Sequence, residues 1–146
     1  MESKLKASLF SLRITVFLVM AIWTADKFIR PEHAVAVYEH FYYLGGVAYS
    51  VMAIVALFEA LIILGFLLGV KKRLTYGFVL VVHGISTLSS LQQYLQPFEK
   101  LNLLFFAAWP MWAACLTLFM FREEDTLMNL RPTKIGIFVG TGALRS

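Results

Sequence analysis

Four long apolar stretches, separated by short polar or charged connections, define the pattern of this chain. They cover about residues 9–26, 47–70, 74–94 and 103–121. A bilayer core of about 30 Å needs roughly 20 apolar residues in a helix, and each stretch is close to that length. In lipid every backbone amide needs an internal partner, so continuous apolar runs of this length predict membrane-spanning α-helices.

The connections between the stretches predict the order of the helices. The longest, about residues 27–46, is expected to contain a short interfacial helix over residues 34–44. The basic turn at residues 71–73 is so tight that the second and third helices should be antiparallel neighbours. The predicted fold is all-α: a single membrane domain over residues 1–146, built as an up-down-up-down four-helix bundle with a polar tail over residues 122–146.

Composition excludes an ordinary soluble domain. Hydrophobic residues make up 60% of the chain, charged residues 15%, and the mean hydropathy is +0.74. Soluble domains have roughly 45–50% and about 25%. The net charge of +4 lies in short clusters without a continuous basic face, so we expect anionic lipid headgroups and no nucleic acid as the partner.

The distribution of basic residues predicts the orientation. If the N-terminus is cytoplasmic, the outer side receives only Lys27, Arg30 and Lys100 of the 13 lysine and arginine residues. Basic residues are retained on the cytoplasmic side of membrane proteins. The expected orientation therefore has both termini in the cytoplasm.

Glu59 lies near the middle of the second apolar stretch and is its only charged residue. An ionisable side chain at that depth costs about 2.5–3.5 kcal/mol on insertion scales unless it is paired or neutral. His83 is the predicted partner, because the tight turn joins the two helices and both residues lie roughly 14–17 Å from it. We interpret the pair as a proton relay or a site for a polar ligand head, or alternatively as a polar contact that fixes helix register.

Polar residues continue from His83 along one face of the third predicted helix. They recur at spacings of three and four residues toward the outer end: Ser86, Thr87, Ser90 and Tyr94. Such a stripe predicts the lining of a cavity that opens to the outside. The alternative is that the hydroxyl groups bond to carbonyls of their own helix and allow close packing.

Charged residues flank the first predicted helix. Asp26 and Lys27 follow it and are candidates for the mouth of the same cavity, or for a local ion pair at a solvated helix end. Arg13, near its start, is expected to extend its side chain to the membrane interface.

Small residues on the second predicted helix indicate a close-packing face. Gly65 and Gly69 form a GxxxG pair, and Ala56 and Ala60 extend it by two turns. The pattern does not say whether the partner helix belongs to this chain or to a second copy.

We expect no metal and no haem. Cys115 is the only cysteine, which excludes an internal disulfide and a CxxC centre. The spacing of His33 and His40 fits no helical ligand pair, and a bis-His haem site would need a second buried histidine besides His83.

Aromatic residues around Trp109 and Pro110 mark the fourth predicted helix. The proline should kink this helix, because it removes a backbone hydrogen bond. The aromatic side chains are candidates for a pocket that holds a quinone ring or a lipid tail, or they only pack and contact lipid.

One part of the second stretch combines Glu59, an apolar run, the Gly65 and Gly69 pair and the basic turn at residues 71–73. This arrangement resembles the DoxX-like family of four-helix bacterial membrane proteins. Arg13 and Lys27 fit the pattern of that family's first helix, and the resemblance covers about residues 10–121. It implies residence in the bacterial inner membrane and an association with respiratory or sulfur redox chemistry, since members include a subunit of a thiosulfate:quinone oxidoreductase.

These observations lead to one functional prediction and two alternatives. The first is a membrane subunit or accessory protein of a redox system, in which Glu59 and His83 bind a quinone-like head or relay a proton. The second is a non-catalytic scaffold or assembly subunit that works with other membrane subunits. The third is a small transporter, which would need a homo-oligomer because four helices are few for alternating access.

Overall fold

The computed structural model describes residues 2–130. Their regular secondary structure is entirely helical, and these residues contain no β-strand. The all-α prediction is therefore confirmed, whereas residues 131–146 of the predicted tail lie outside the described residues. The helices are α1 (Glu2–Ile29), α2 (Pro31–Tyr42), α3 (Tyr49–Leu67), α4 (Lys72–Ser89), α5 (Leu91–Leu95), a 3-10 helix (Asn102–Ala107) and α6 (Ala108–Met120).

Three helical segments of the described part are long and apolar enough to cross a membrane. They are Glu2–Ile29, Tyr49–Leu67 and Asn102–Met120, the last combining the 3-10 helix with α6. The predicted stretch 74–94 is not among them, and it is divided, because α4 ends at Ser89 and α5 follows. The charged start of α4 and the serine, threonine and histidine residues of its later turns lower its hydropathy.

The junction between α1 and α2 follows from a proline. α1 contains neither glycine nor proline over 28 residues, so it extends for about 42 Å. Arg30 leaves the helical region at φ −133°, since the residue before a proline disfavours the α conformation. Pro31 then occupies the first turn of α2, where its missing N–H has no partner to lose. The short helix predicted over residues 34–44 is thus present, and it begins three residues earlier than expected.

Gly69 ends α3 instead of extending it. Its φ of +64° is left-handed, and the Val70 amide donates to the Gly65 carbonyl over 2.8 Å. This is the hydrogen-bond pattern of a glycine-terminated helix. α3 therefore ends before the expected residue 70, because the chain needs this glycine to turn toward α4. Gly69 is closely packed as predicted, but in this turn: a Cβ added there would overlap the Asn129 side chain.

The predicted fourth helix does not run through Pro110 as one continuous α-helix. The chain forms the 3-10 helix first, and α6 begins at Ala108. Pro110 therefore lies in the first turn of α6, where its missing N–H is tolerated.

Each of α1, α3, α4 and α6 packs against two of the others: α1 and α4 both contact α3 and α6. Their shared core comprises Leu9, Val16, Met20, Ile63, Phe66, Tyr76, Val79, Cys115 and Leu118. We call the end where α1 ends and α3 begins the upper end, and the end where α3 ends and α4 begins the lower end. α2 packs on α1 and α3 at the upper end.

Candidate functional site

A cavity of about 530 Å³ lies in the upper half of the helix assembly. Side chains from α1, α2, α3, α4, the 3-10 helix and α6 form its wall, and most of the wall is apolar or aromatic. The aromatic contributions come from Trp23, Tyr38, Phe41, Tyr42 and Phe105. A volume of this size is typical of sites for drug-sized ligands, which combine apolar walls with a few polar groups.

Glu59 and Lys27 form an ion pair in the wall of this cavity. Lys27 Nζ lies 2.8 Å from Glu59 Oε2, and the two side chains are only 10% and 8% exposed. Lys27 Nζ also donates to the Trp23 carbonyl over 3.2 Å. The pair joins the last turn of α1 to the middle of α3.

The expected Glu59–His83 pair is not formed. Equal depth along two neighbouring helices fixes the height of two side chains but not the direction in which each one faces. Lys27 reaches Glu59 from α1, whereas His83 Nε2 lies 3.2 Å from the Ala108 carbonyl at the start of α6. The structure nevertheless brings Glu59 and His83 to the wall of the same cavity.

The hydrogen bond of His83 determines which ring nitrogen carries the proton. A backbone carbonyl only accepts hydrogen bonds, so Nε2 is the donor toward Ala108. In the neutral ring Nδ1 is then an acceptor.

The polar stripe of α4 divides into two sets. Ser86 and Ser90 line the cavity, and Ser90 Oγ donates to the Ser86 carbonyl over 3.2 Å. Thr87 is fully buried away from the cavity lining and donates to the His83 carbonyl over 2.8 Å. Tyr94 lies on α5, outside the lining, and its ring contacts Trp109.

Asp26 lines the cavity and also ties α1 to α2. Its Oδ1 accepts from Arg30 Nε over 2.7 Å, and its Oδ2 lies 2.6 Å from His33 Nδ1. Asp26 therefore belongs to the cavity wall and forms a local ion pair, but with Arg30, whereas Lys27 pairs with Glu59. These contacts hold α2 over the upper end of the cavity.

Tyr38 on α2 faces the cavity from above. Burial, with the Glu59 carboxylate as a smaller second cause, raises the pKa of Tyr38 to about 12. Its phenol therefore stays protonated at neutral pH and is able to donate a hydrogen bond.

The small residues of α3 pack inside this chain. A Cβ added to Gly65 would lie 3.0 Å from Thr75 Cγ2 of α4, and Ala56 is fully buried. Ala60 is partly buried. At Gly65, therefore, the close-packing partner is α4 of the same molecule.

Arg13 is not an exposed residue that extends outward, as the sequence predicts. Its side chain is fully buried at the lower end and lies 3.4 Å from Asp125 Oδ2. Its Nη1 donates to the Tyr76 hydroxyl over 3.2 Å, and that hydroxyl donates to Asp125 Oδ2 over 2.7 Å. Arg13 also donates to Asn129 Oδ1 and to the Leu127 carbonyl.

Residues 121–130, here called the closing segment, fold back across the lower end. Lys72 Nζ donates to the carbonyls of Arg122 and Asp125 over 2.8 and 2.7 Å. The Leu130 amide donates to the Leu68 carbonyl over 2.9 Å. In the sequence Asp125 follows Glu123 and Glu124, and no local signal distinguishes the buried acid from the two before it.

Comparisons with models of known protein families, with curated proteins and with solved structures found no match to this chain. The interpretation of the site therefore rests on its own residues.

Proposed function

We propose that the chain is a four-span membrane protein in which α4 crosses the bilayer together with the three more apolar segments. The exposed residues of α4 beyond its basic start support this. They are all apolar and recur along one side of the helix: Leu74, Val81, Ile85 and Leu88. Beyond this basic start the polar side chains of α4 are buried or partly buried, as expected for a helix whose lipid-facing side is apolar.

In the proposed orientation the lower end is cytoplasmic. It carries the basic turn at residues 71–73 and Arg122, whereas the upper end carries Lys27, Arg30 and Lys100. The excess of basic residues at the lower end supports this orientation.

The proposed function is to bind a lipophilic small molecule with a polar ring as its head, such as a quinone, within a membrane redox system. The protein would act there as a subunit or an accessory. The observation that carries the proposal is the cavity of about 530 Å³, whose aromatic wall contains Lys27, Glu59 and His83. Burying ionisable groups at this depth costs free energy, so such groups usually have a function. A polar ligand head would be a hydrogen-bond partner for them.

The resemblance to the DoxX-like family supports the redox context and a bacterial inner membrane. Among the residues that carry this resemblance, Glu59 and Lys27 form the ion pair in the cavity wall. Arg13 and Gly69 instead belong to the lower end, where they hold the fold together.

Tryptophan fluorescence tests the binding function. Trp23 lines the cavity, and the chain has only three tryptophans, so a quinone bound there should quench a substantial part of the emission. The full chain in lipid nanodiscs is titrated with 2-methyl-1,4-naphthoquinone. We expect saturable quenching, and a linear response without saturation would contradict specific binding.

Two phenylalanine variants on α4 distinguish binding in the cavity from binding at the exposed side of this helix. Ser86→Phe fills the cavity, whereas Leu88→Phe adds a similar ring on the exposed side of the same helix. Ser86→Phe should weaken binding at least about tenfold, because the ring occupies the space of the ligand. Leu88→Phe should bind like the unmodified chain, and equal effects of both variants would argue against this cavity.

A structural scaffold is the second candidate, and the closed Lys27–Glu59 pair favours it, since the two charges satisfy each other without a ligand. A scaffold predicts that Glu59→Gln lowers the yield of an assembled complex but leaves its turnover unchanged. Purification of the chain from native membranes with identification of the accompanying subunits measures both quantities.

A further inference from the structure

Glu59 keeps one oxygen without a partner. Its Oε2 is occupied by Lys27, and the described part of the structure gives Oε1 no hydrogen-bond donor. Because Glu59 lines the cavity, this oxygen is an acceptor for whatever the cavity holds.

His83 adds a second acceptor to the same wall. Its Nε2–H group donates to the Ala108 carbonyl, which leaves Nδ1 of the neutral ring with a lone pair that can accept a hydrogen bond. The described residues provide no donor for this nitrogen either. Glu59 and His83 therefore provide two hydrogen-bond acceptors for the ligand.

Hydrogen-bond donors line the same cavity. The Tyr38 hydroxyl and the one remaining N–H group of Lys27 are able to donate to a ligand oxygen. A ligand hydroxyl can donate to the acceptors and accept from these donors at once, whereas a quinone carbonyl can only accept.

We infer that the cavity preferentially binds a ligand whose flat aromatic head carries free hydroxyl groups. Such a ligand is a phenol or a hydroquinone, and the corresponding quinone binds less tightly. This inference rests on the proposed ligand-binding function and adds the chemical class of the ligand. A bound quinone would leave the Glu59 and His83 acceptors unpaired, and sites that hold polar groups for a hydroxyl discriminate strongly against analogues that lack it.

Preferential binding has a consequence for the redox couple. If the hydroquinone binds tenfold more tightly than the quinone, the midpoint potential of the bound two-electron couple rises by about 30 mV. The site would then favour the reduced form of the molecule.

Three matched ligands test this inference on the full chain in nanodiscs under anaerobic conditions. They are 2-methyl-1,4-naphthoquinone, its hydroquinone and the dimethyl ether of that hydroquinone, and calorimetry measures each Kd. The hydroquinone should bind at least about tenfold more tightly than both other ligands. The ether controls for ring size, since it keeps the rings and both oxygens but has no O–H group.

Two variants trace the preference to the named acceptors. His83→Phe should remove most of the preference for the hydroquinone while the affinity for the quinone stays within about threefold, because only the acceptor is lost. Glu59→Gln should also reduce the preference, and His83→Phe keeps the test decisive if that variant folds poorly.

The outcomes distinguish a failure of the proposed binding function from a failure of the preference for a ligand with hydroxyl groups. Saturable binding of all three ligands with equal affinity, or tighter binding of the quinone, would overturn the hydroxyl preference and leave the binding function standing. A preference that His83→Phe and Glu59→Gln both leave intact would overturn the assignment of the acceptors. Saturable binding of none of the three would overturn the proposed function together with the inference.

Discussion

The guanidinium group of Arg13 lies 3.4 Å from the carboxylate of Asp125, and neither side chain is exposed to solvent. The pair connects α1 with the closing segment, so it ties together distant parts of the chain at the lower end. Tyr76 bridges the two charged groups with its hydroxyl. Arg13 Nε and Asp125 Oδ1 are buried without a partner among the described residues, so the surrounding contacts must offset this cost.

Asp125→Asn should destabilise the protein by about 3–5 kcal/mol, because it leaves the Arg13 charge buried and unpaired. Cys115 provides the measurement, since it is the only cysteine and is 1% exposed in the fold. A thiol-reactive fluorogenic dye should label it only as the protein unfolds during heating in mild detergent. The variant should therefore be labelled at a clearly lower temperature than the unmodified chain.

Two further variants control this prediction. Glu123→Gln removes a neighbouring acid that lies 3.5 Å from Arg122 Nε and whose side chain is 77% exposed. Surface ion pairs of this kind contribute about 0–1 kcal/mol. The double variant Arg13→Met, Asp125→Leu removes both charges and should be more stable than either single variant. A double variant as unstable as Asp125→Asn would argue that the charges do not act as a pair.

The periodicity of the sequence was sufficient to predict the helices but not the residues at which they begin and end. Continuous apolar runs predicted α1, α3 and α6, because helical geometry in lipid depends on length and hydropathy alone. Their boundaries depend on single residues, such as the left-handed Gly69 that ends α3 and Pro31 that begins α2. The apolar character of α4 is weaker because its later turns carry polar residues, which are buried or partly buried in the interior.

The partners of the charged residues were harder to predict. Glu59 was predicted to be a site residue from its depth, but its partner depends on which way the side chain faces. That partner is Lys27, 2.8 Å away, which joins α1 to α3. Arg13 was misplaced for a related reason: its partner Asp125 lies on a polar segment that hydropathy assigns to solvent. Long-range pairs of this kind are decided by tertiary packing and leave no pattern in the local sequence.

Gly84 lets α4 approach α6 closely, and an added methyl group should destabilise this contact. A Cβ at this position would lie 2.7 Å from Trp112 Nε1 and 2.9 Å from Cε2 of the same ring. Gly84→Ala would force the indole or the helix to move, which costs about 1–3 kcal/mol in a packed interior. The same thermal labelling of Cys115 measures the change.

Gly45→Ala is the matched control for this packing effect. A Cβ at Gly45 meets Glu39 only at ordinary contact distance, with the nearest atom at 3.6 Å. Its effect should stay within about 0.5 kcal/mol. If Gly45→Ala and Gly84→Ala had the same effect, the close approach of Trp112 would not be the cause.

Cysteine labelling tests the proposed orientation. Lys100→Cys places a thiol at the exposed upper end, and Glu123→Cys places one at the exposed lower end. A membrane-impermeant maleimide should label Lys100→Cys in spheroplasts and Glu123→Cys only after the membrane is opened, because the basic lower end is expected to be cytoplasmic. The unmodified chain controls for background, since Cys115 is buried. The reverse labelling pattern would invert the orientation.

The two buried ion pairs should differ in how much the fold depends on them. The Lys27–Glu59 side chains are 10% and 8% exposed and border a cavity, whereas Arg13 and Asp125 are fully enclosed. Lys27→Met should therefore cost about 1–3 kcal/mol, less than Asp125→Asn, because the cavity can supply the Glu59 carboxylate with water or a ligand hydroxyl. Thermal labelling of Cys115 in both variants, side by side, gives the order. If Lys27→Met were the more damaging change, the upper pair would be a main support of the fold, and the scaffold function would become the better interpretation of the cavity.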